Sequence, residues 1–151
     1  VTTPATAPDG SPWSIVAVAD LPYPHHLFRC EWQDLHKQLV TEEGDDSAGR
    51  RRAFERFVTE IGAAGMASCP CHEGDWTEAA RVATEIAASG MADFIDAIDA
   101  RLAAGADAKT MSAVLSLSDE PIWINGDRLG NGQHRSCAMR AAGADTCPVE
   151  R

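Results

Sequence analysis

Gly130-Asn131-Gly132-Gln133-His134-Arg135 combines backbone freedom, a proton-transfer group and a permanent cation within one short segment. Glycines let a backbone approach a ligand closely, and the first amides of a helix beginning here have no carbonyl partner and favour negative charge. Arg135 has the geometry for a bidentate contact to phosphate, and His134 can donate a hydrogen bond or proton beside it. The chemistry these types suit is anion binding. A tight turn followed by a solvated arginine is the alternative, since glycine spacing of this kind is common.

Cys69-Pro70-Cys71-His72 has the residue types of a zinc site, and His25-His26 would complete four ligands. A single proline between the cysteines is a poor match to structural zinc spacing, so a loop carrying two reduced thiols is expected and no metal ligands are assigned. Five cysteines (Cys30, Cys69, Cys71, Cys137, Cys147) are an odd number, which fits free thiols better than a disulfide framework. Trp32 and Trp123 fall at apolar-face positions and read as core rather than as base-stacking platforms. No Ser-His-Asp signature, Walker loop or dinucleotide fingerprint is present.

These groups need elements to position them. Residues 1–12, rich in Pro, Ser and Thr, read as a flexible arm. Trp13–Ala19 is a β-branched run of strand length, closed by Pro22 and Pro24. Trp32, Leu35 and Leu39 mark a short helix within 31–40, and the polar Glu42–Gly49 stretch breaks it. Phe54, Phe57, Val58 and Ile61 mark a second helix, ending near Gly62 and Gly65. Asp75 and Glu78 form a capping-box pattern ahead of a helical period that runs to Gly105, with Ser89-Gly90 as a dividing point. Pro121–Ile124 reads as a buried strand, Asn125-Gly126 as a hairpin turn, Asp127–Leu129 as the return strand, Gln133–Ala142 as a helix stopped by Gly143, and Thr146–Glu150 as a final strand. The Ala97–Ala108 stretch is alanine-rich, and no internal repeat occurs.

At 151 residues the chain has room for one domain, expected over 13–151. No apolar run is long enough to span a membrane, and the opening residues lack a signal peptide's basic and apolar regions, so no membrane contact and a cytoplasmic location are expected. Thirteen Lys and Arg against 23 Asp and Glu, a formal charge of −10, oppose attraction to nucleic acid. The dense basic run, Arg50-Arg51-Arg52 with Arg56, follows an acidic stretch and reads as the solvated, mixed-charge start of a helix.

The stretch from Pro121 to Val149 resembles the core of the ParB/sulfiredoxin-like superfamily: strand, turn, a motif of the Asp-Gly-His-His-Arg or Asp-Gly-Gln-His-Arg type, helix, Gly, and a strand ending Pro-Val. Ile15–Arg29 is similar to that family's opening strand, Pro-containing loop and Arg. The two stretches cover roughly a third of the chain. The resemblance implies an α/β (α+β) fold, a small mixed sheet with flanking helices, here with a helical insertion at about 41–108 that matches no known pattern.

It also implies a nucleotide site. Gly130, Gly132, Gln133, His134, Arg135 and Arg29 are the phosphate-binding positions that follow, with His134, Arg135 and Asn131 as the catalytic ones. ATP or another nucleoside triphosphate with Mg²⁺ would be the cofactors, and the implied reaction is phosphoryl transfer to a small hydroxyl-bearing substrate, or nucleotide hydrolysis. Gln133 stands where sulfiredoxin-like reductases carry a Cys, which argues against sulfinic-acid reduction. The Gly-Glu-Arg-Arg motif and helix-turn-helix domain of chromosome-partitioning relatives are not among these residues. Asn131 takes the family's usual Asp position, so a carboxylate would have to come from Glu31, Asp34, Glu120 or Asp127. A non-catalytic nucleotide-sensing or protein-interaction module is the alternative of another class, and a ParB-like DNA nuclease is a further one.

Overall fold

The computed structural model describes residues 5–151, and positions 1–4 of the expected arm lie outside the described residues. The remainder of that arm runs along the surface, with Ala7 packed on the core. β1, Trp13–Ala17, passes into a single 3-10 turn at Val18–Asp20. It pairs antiparallel with β4, Thr146–Glu150, from Trp13 opposite Glu150 to Ala17 opposite Thr146. The second ladder is the hairpin of β2, Trp123–Asn125, and β3, Arg128–Asn131. The Glu150 amide donates to the Ile122 carbonyl at 2.8 Å and ties the two ladders together.

The fold is thus mixed α/β, with six helices and two small antiparallel sheets among the described residues. The expected mixed sheet is corrected: a two-residue turn imposes antiparallel pairing on β2 and β3, and β4 runs back along β1 without a crossover between parallel strands. The hairpin's central residues are Gly126 and Asp127, one position later than expected, with Gly126 at φ 63° as the first residue of a type II′ turn requires. β2 is not buried either. Trp123 is 42% exposed and Ile124 is exposed beside it, whereas Ile122, just ahead of the strand, is fully enclosed.

The first helix, α1, spans Gln33–Glu43 and reaches two residues into the stretch expected to break it; Gly44, at φ 103°, is where it stops. α2, Ser47–Ser68, is capped by the Asp46 side chain accepting from the Gly49 amide at 2.6 Å. Gly62 (φ 73°, ψ 170°) is non-helical and divides α2 into two helical stretches, at the position where the sequence places an end. α3, Trp76–Ala88, and α4, Ile95–Ala103, are divided at Ser89-Gly90 as the sequence suggests. The Asp75 carboxylate does accept from the Glu78 amide at 3.1 Å. The reciprocal half of the capping box is absent, because the Asp75 amide donates to Thr110 Oγ1 instead. α5, Ala108–Asp119, follows Asp107, whose side chain takes both the amide and the hydroxyl of Thr110 at 2.9 Å. α6, Gln133–Ala142, and its left-handed stop at Gly143 (φ 74°) match the sequence expectation.

The apolar residues form two cores. The larger joins β1, β4, α3, α5 and α6 around Phe94, Val114, Leu117, Ile122, Leu129 and Met139. The smaller lies between α1, α2 and the loop 23–30, around Leu27, Leu39, Phe54 and Phe57, and half-buried Trp32 packs on it.

The basic run does not behave as a solvated face. Arg51, Arg52 and Arg56 are exposed and paired with Glu55, Glu43 and Glu42, but Arg50 is only 1% exposed. Its guanidinium donates to the Asp45 carbonyl at 2.7 Å and the Asp127 carbonyl at 2.8 Å, and pairs with both carboxylates. Burying a cation needs paired donors; Nη1 and Nη2 supply them and join the α1–α2 turn to the hairpin turn, while Nε is buried without a partner among the described residues. Arg50→Ala is expected to destabilise the domain by about 2–4 kcal/mol, from charged hydrogen bonds lost and the cavity left. Urea unfolding measures this, and Arg50→Lys should recover little of it, since one ammonium cannot span both turns; an unchanged midpoint would show that the bridge is incidental.

Candidate functional site

α6 opens at Gly132, which adopts a left-handed conformation (φ 99°) that favours glycine. A Cβ there would lie 2.5 Å from Ile122 Cγ1. Gly130 is the extra residue of a bulge opposite Trp123/Ile124, and a Cβ on it would lie 2.2 Å from the Trp123 ring. Both glycines of the motif therefore admit the protein's own side chains. The first bond within the helix is Ser136 N to Gly132 O at 2.9 Å, and no side chain caps the amides before it. Their donors are what the helix offers to an anion.

Three polar residues of the motif grip backbone instead of facing a common point. Asn131 Nδ2 donates to the Pro121 carbonyl at 3.0 Å and the Glu120 carbonyl at 3.3 Å. Gln133, buried, donates from Nε2 to the Leu129 carbonyl at 2.9 Å, while its Oε1 accepts from the His25 amide at 3.0 Å. Arg135 Nη1 donates to the Ser116 and Glu120 carbonyls at the C-terminus of α5, where a cation also suits the helix dipole.

His134 and Arg29 stand apart from this pattern. His134 is half-buried; burial lowers its pKa below the ordinary imidazole value, a hydrogen bond with the Phe28 backbone opposes this, and His26, Arg29 and Arg135 reinforce it. Arg29 has φ 67° and, among the described residues, is the one non-glycine in the left-handed region. Its amide donates to Gln33 Oε1 at 2.9 Å, and its exposed guanidinium forms no hydrogen bond or ion pair with a described residue. The loop that carries it is fastened to α6 by the Gln133–His25 bond and by Arg140, which donates to the Leu21 carbonyl and stacks 3.8 Å over the Tyr23 ring.

Between the same loop and α1, a recess of about 280 Å³ is lined by His25, His26, Leu27, Phe28, Gln33, Asp34 and Lys37. Phe28, 64% exposed, lies 4.3 Å from the His26 ring at a shallow angle. The sequence reading missed Phe28, Lys37 and His36 behind them; the His25-His26 pair in the same loop was the available signal. His36 is fully enclosed against Phe57, and neither ring nitrogen has a partner. Burial pushes its pKa down to about 4, with His26 and His25 adding to the shift.

Of the four carboxylates considered, Asp34 alone lines the recess. Asp127 is paired with Arg50 at 3.1 Å, and Glu31 and Glu120 are exposed. The Mg²⁺ that the resemblance implies finds no fit in the protein itself. The Asn131 amide faces two carbonyls, and no group of three or more His, Cys, Asp or Glu among the described residues is arranged to hold a metal ion. His72 and the paired cysteines form no such set with His25-His26 either; His72 Nδ1 bonds the Met66 carbonyl at 2.8 Å. No protein-family model matches the sequence, no curated protein matches it, and no solved structure matches its fold.

Asn131→Asp removes both donors from the Pro121 and Glu120 carbonyls and sets a negative charge against them. It is expected to lower stability by about 1–3 kcal/mol, read by chemical denaturation, and an unaltered midpoint would mean that the amide does not hold this segment.

His36 gives a pH dependence whose sign is fixed by its depressed pKa. Between pH 6.5 and about 4 the unfolded chain binds a proton that the native protein refuses. The stabilising contribution is therefore complete above pH 6.5 and lost as pH falls toward 4, by up to about 3 kcal/mol. His36→Leu should flatten the stability–pH curve in that window; an unchanged slope would place the acid sensitivity elsewhere.

Proposed function

We propose that this domain binds the phosphates of a nucleotide between the His25–Arg29 loop and the first turn of α6. The observation that carries the reading is Arg29. Its left-handed backbone costs on the order of 1 kcal/mol, is held by Gln33, and presents an unpaired guanidinium beside His134 and the uncapped start of a helix. In an acidic chain whose other arginines are largely paired or buried, an exposed and unpaired cation next to helix amides suits a phosphate ligand. Phe28, exposed beside His26, offers a face for a base. The likeness of the motif to the ParB/sulfiredoxin-like pattern supports the same placement, with His134 and Arg29 as phosphate contacts and Gln133 and Arg135 as the residues that hold them in position.

Binding without turnover is the form Asn131 favours, because its amide is engaged by backbone carbonyls and supplies no carboxylate. The second reading is ATP-dependent phosphoryl transfer to a small hydroxyl-bearing substrate. It is favoured by Asp34, a carboxylate in the recess beside His26 that is placed to orient an acceptor hydroxyl. A DNA nuclease is disfavoured by the net charge and by the pairing of Arg51, Arg52 and Arg56 with acids of the same helical pair.

Arg29→Gly separates binding from folding, since glycine adopts φ 67° without strain. The variant is expected to be as stable as the parent or slightly more so, while ATP affinity, measured by calorimetry, falls about tenfold or more as a charge-assisted contact is lost. Unchanged affinity in a folded variant would remove the loop from the site. ADP formation by the parent that disappears in Asp34→Asn would select the second reading over the first.

A further inference from the structure

Four of the five cysteines converge on the smaller core. Cys30, immediately after Arg29, and Cys69, at the end of α2, are buried with their sulfurs 3.8 Å apart. Cys71, in the 3-10 turn Pro70–His72, has its thiol pKa raised by burial and by the neighbouring Cys69, and Cys137 of α6 lies behind them. Cys71 is the partly exposed member of the group, and the rest are enclosed. Thirty-nine positions of sequence separate Cys30 from Cys69, and the helical hairpin of α1 and α2 brings them together.

From this juxtaposition we infer that Cys30 and Cys69 form a reversible dithiol–disulfide couple, oxidised by a low-molecular-weight disulfide that enters at Cys71. A disulfide bond of about 2.05 Å requires each sulfur of the pair to move by about 0.9 Å, a distance within reach of side-chain torsion. The buried pair cannot meet a solution oxidant directly, whereas Cys71 can. Its thiolate attacks the oxidant RSSR, giving a mixed disulfide and releasing RS⁻. Cys69 displaces the second RS⁻ and joins Cys71. Pro70, with its fixed φ, makes the ring closed by residues 69 and 71 a strained one, which favours transfer onward. Cys30 then attacks the Cys69 sulfur, forming the Cys30–Cys69 bond and returning Cys71 as a thiolate. Two protein thiols are oxidised by two electrons, RSSR is reduced to two RSH, and the two protons lost by Cys30 and Cys69 are those gained by RSH.

Burial pushes the Cys30 thiol up to about 11, so the final step is slow at neutral pH and accelerates as pH rises. The product fastens the Arg29 loop covalently to the end of α2. This couple does not depend on the nucleotide reading, and its test involves no nucleotide.

The experiment incubates the full chain with oxidised glutathione at pH 8, blocks residual thiols in acid, and maps peptides by mass. The expected result is one cross-link between the Cys30 and Cys69 peptides, with Cys71, Cys137 and Cys147 alkylated, reversed by dithiothreitol. Cys71→Ser should slow its formation about tenfold or more without changing the product, and Cys30→Ser should stop the reaction at species involving Cys71. A terminal mixed disulfide at Cys71, a 69–71 bond as the stable product of the parent, or no loss of free thiol would each overturn the proposal. Stoichiometric zinc released from the purified protein on thiol titration would do so as well, since the sulfurs would then be metal ligands.

Discussion

The buried amide of Gln133 is the joint on which the arrangement turns. Its oxygen takes the His25 amide and its nitrogen gives to the Leu129 carbonyl, so one side chain links the N-terminal loop, the hairpin and the start of α6. In a buried setting each of these groups would carry a desolvation cost if left unpaired, which makes the joint directional as well as attractive. A glutamate would lose the donor, and a shorter side chain would lose the reach.

The same principle extends along the motif. Asn131 holds the segment before β2, Arg135 holds the end of α5, Arg140 holds residues 21–23, and Arg50 holds both turns of the insertion–hairpin contact. Each donor finds backbone carbonyls at the end of an element, where oxygens lack partners by construction. The polar residues that look most like ligands when the chain is viewed linearly are thus largely occupied with assembly. What they assemble is a loop in which Phe28 and Arg29 are exposed and His26 is half-buried, on a protein whose α6 begins with no side-chain cap.

Charge distribution follows from this division. The chain carries ten more acids than Lys and Arg together, and most of its arginines lie in pairs or in contact with carbonyls. Lys37 and Asp34 are the charged residues lining the recess, with Arg29 next in the chain to Phe28, and burial lowers the pKa of His25, His26 and His134. Under the proposed phosphate-binding reading, such a surface would select by subtraction: a small multivalent anion gains from a local cation and helix amides, while a long polyanion meets the acidic remainder.

Elements whose signals are local were legible in the sequence. β4, α6 with Gly143, the hairpin to within one position, the Ser89-Gly90 division and the Asp75 cap all follow from residues a few positions apart, since glycine, proline and short polar caps act on the backbone beside them. α5 was hidden by the alanine-rich stretch ahead of it, although Asp107 and the spacing of Met111, Val114 and Leu117 carried the signal. The destinations of long polar side chains were not legible. Arg50 is buried by a partner 77 positions away, Gln133 by one 108 away, and Trp123 is exposed because a bulge at Gly130 turns it onto the hairpin's own backbone. The sequence by itself determined the caps, turns and stops that act on neighbouring backbone, because those preferences are local. Only the tertiary structure decided which arginine is buried as a joint and which is left exposed, because that choice depends on which unpaired carbonyls folding brings within reach.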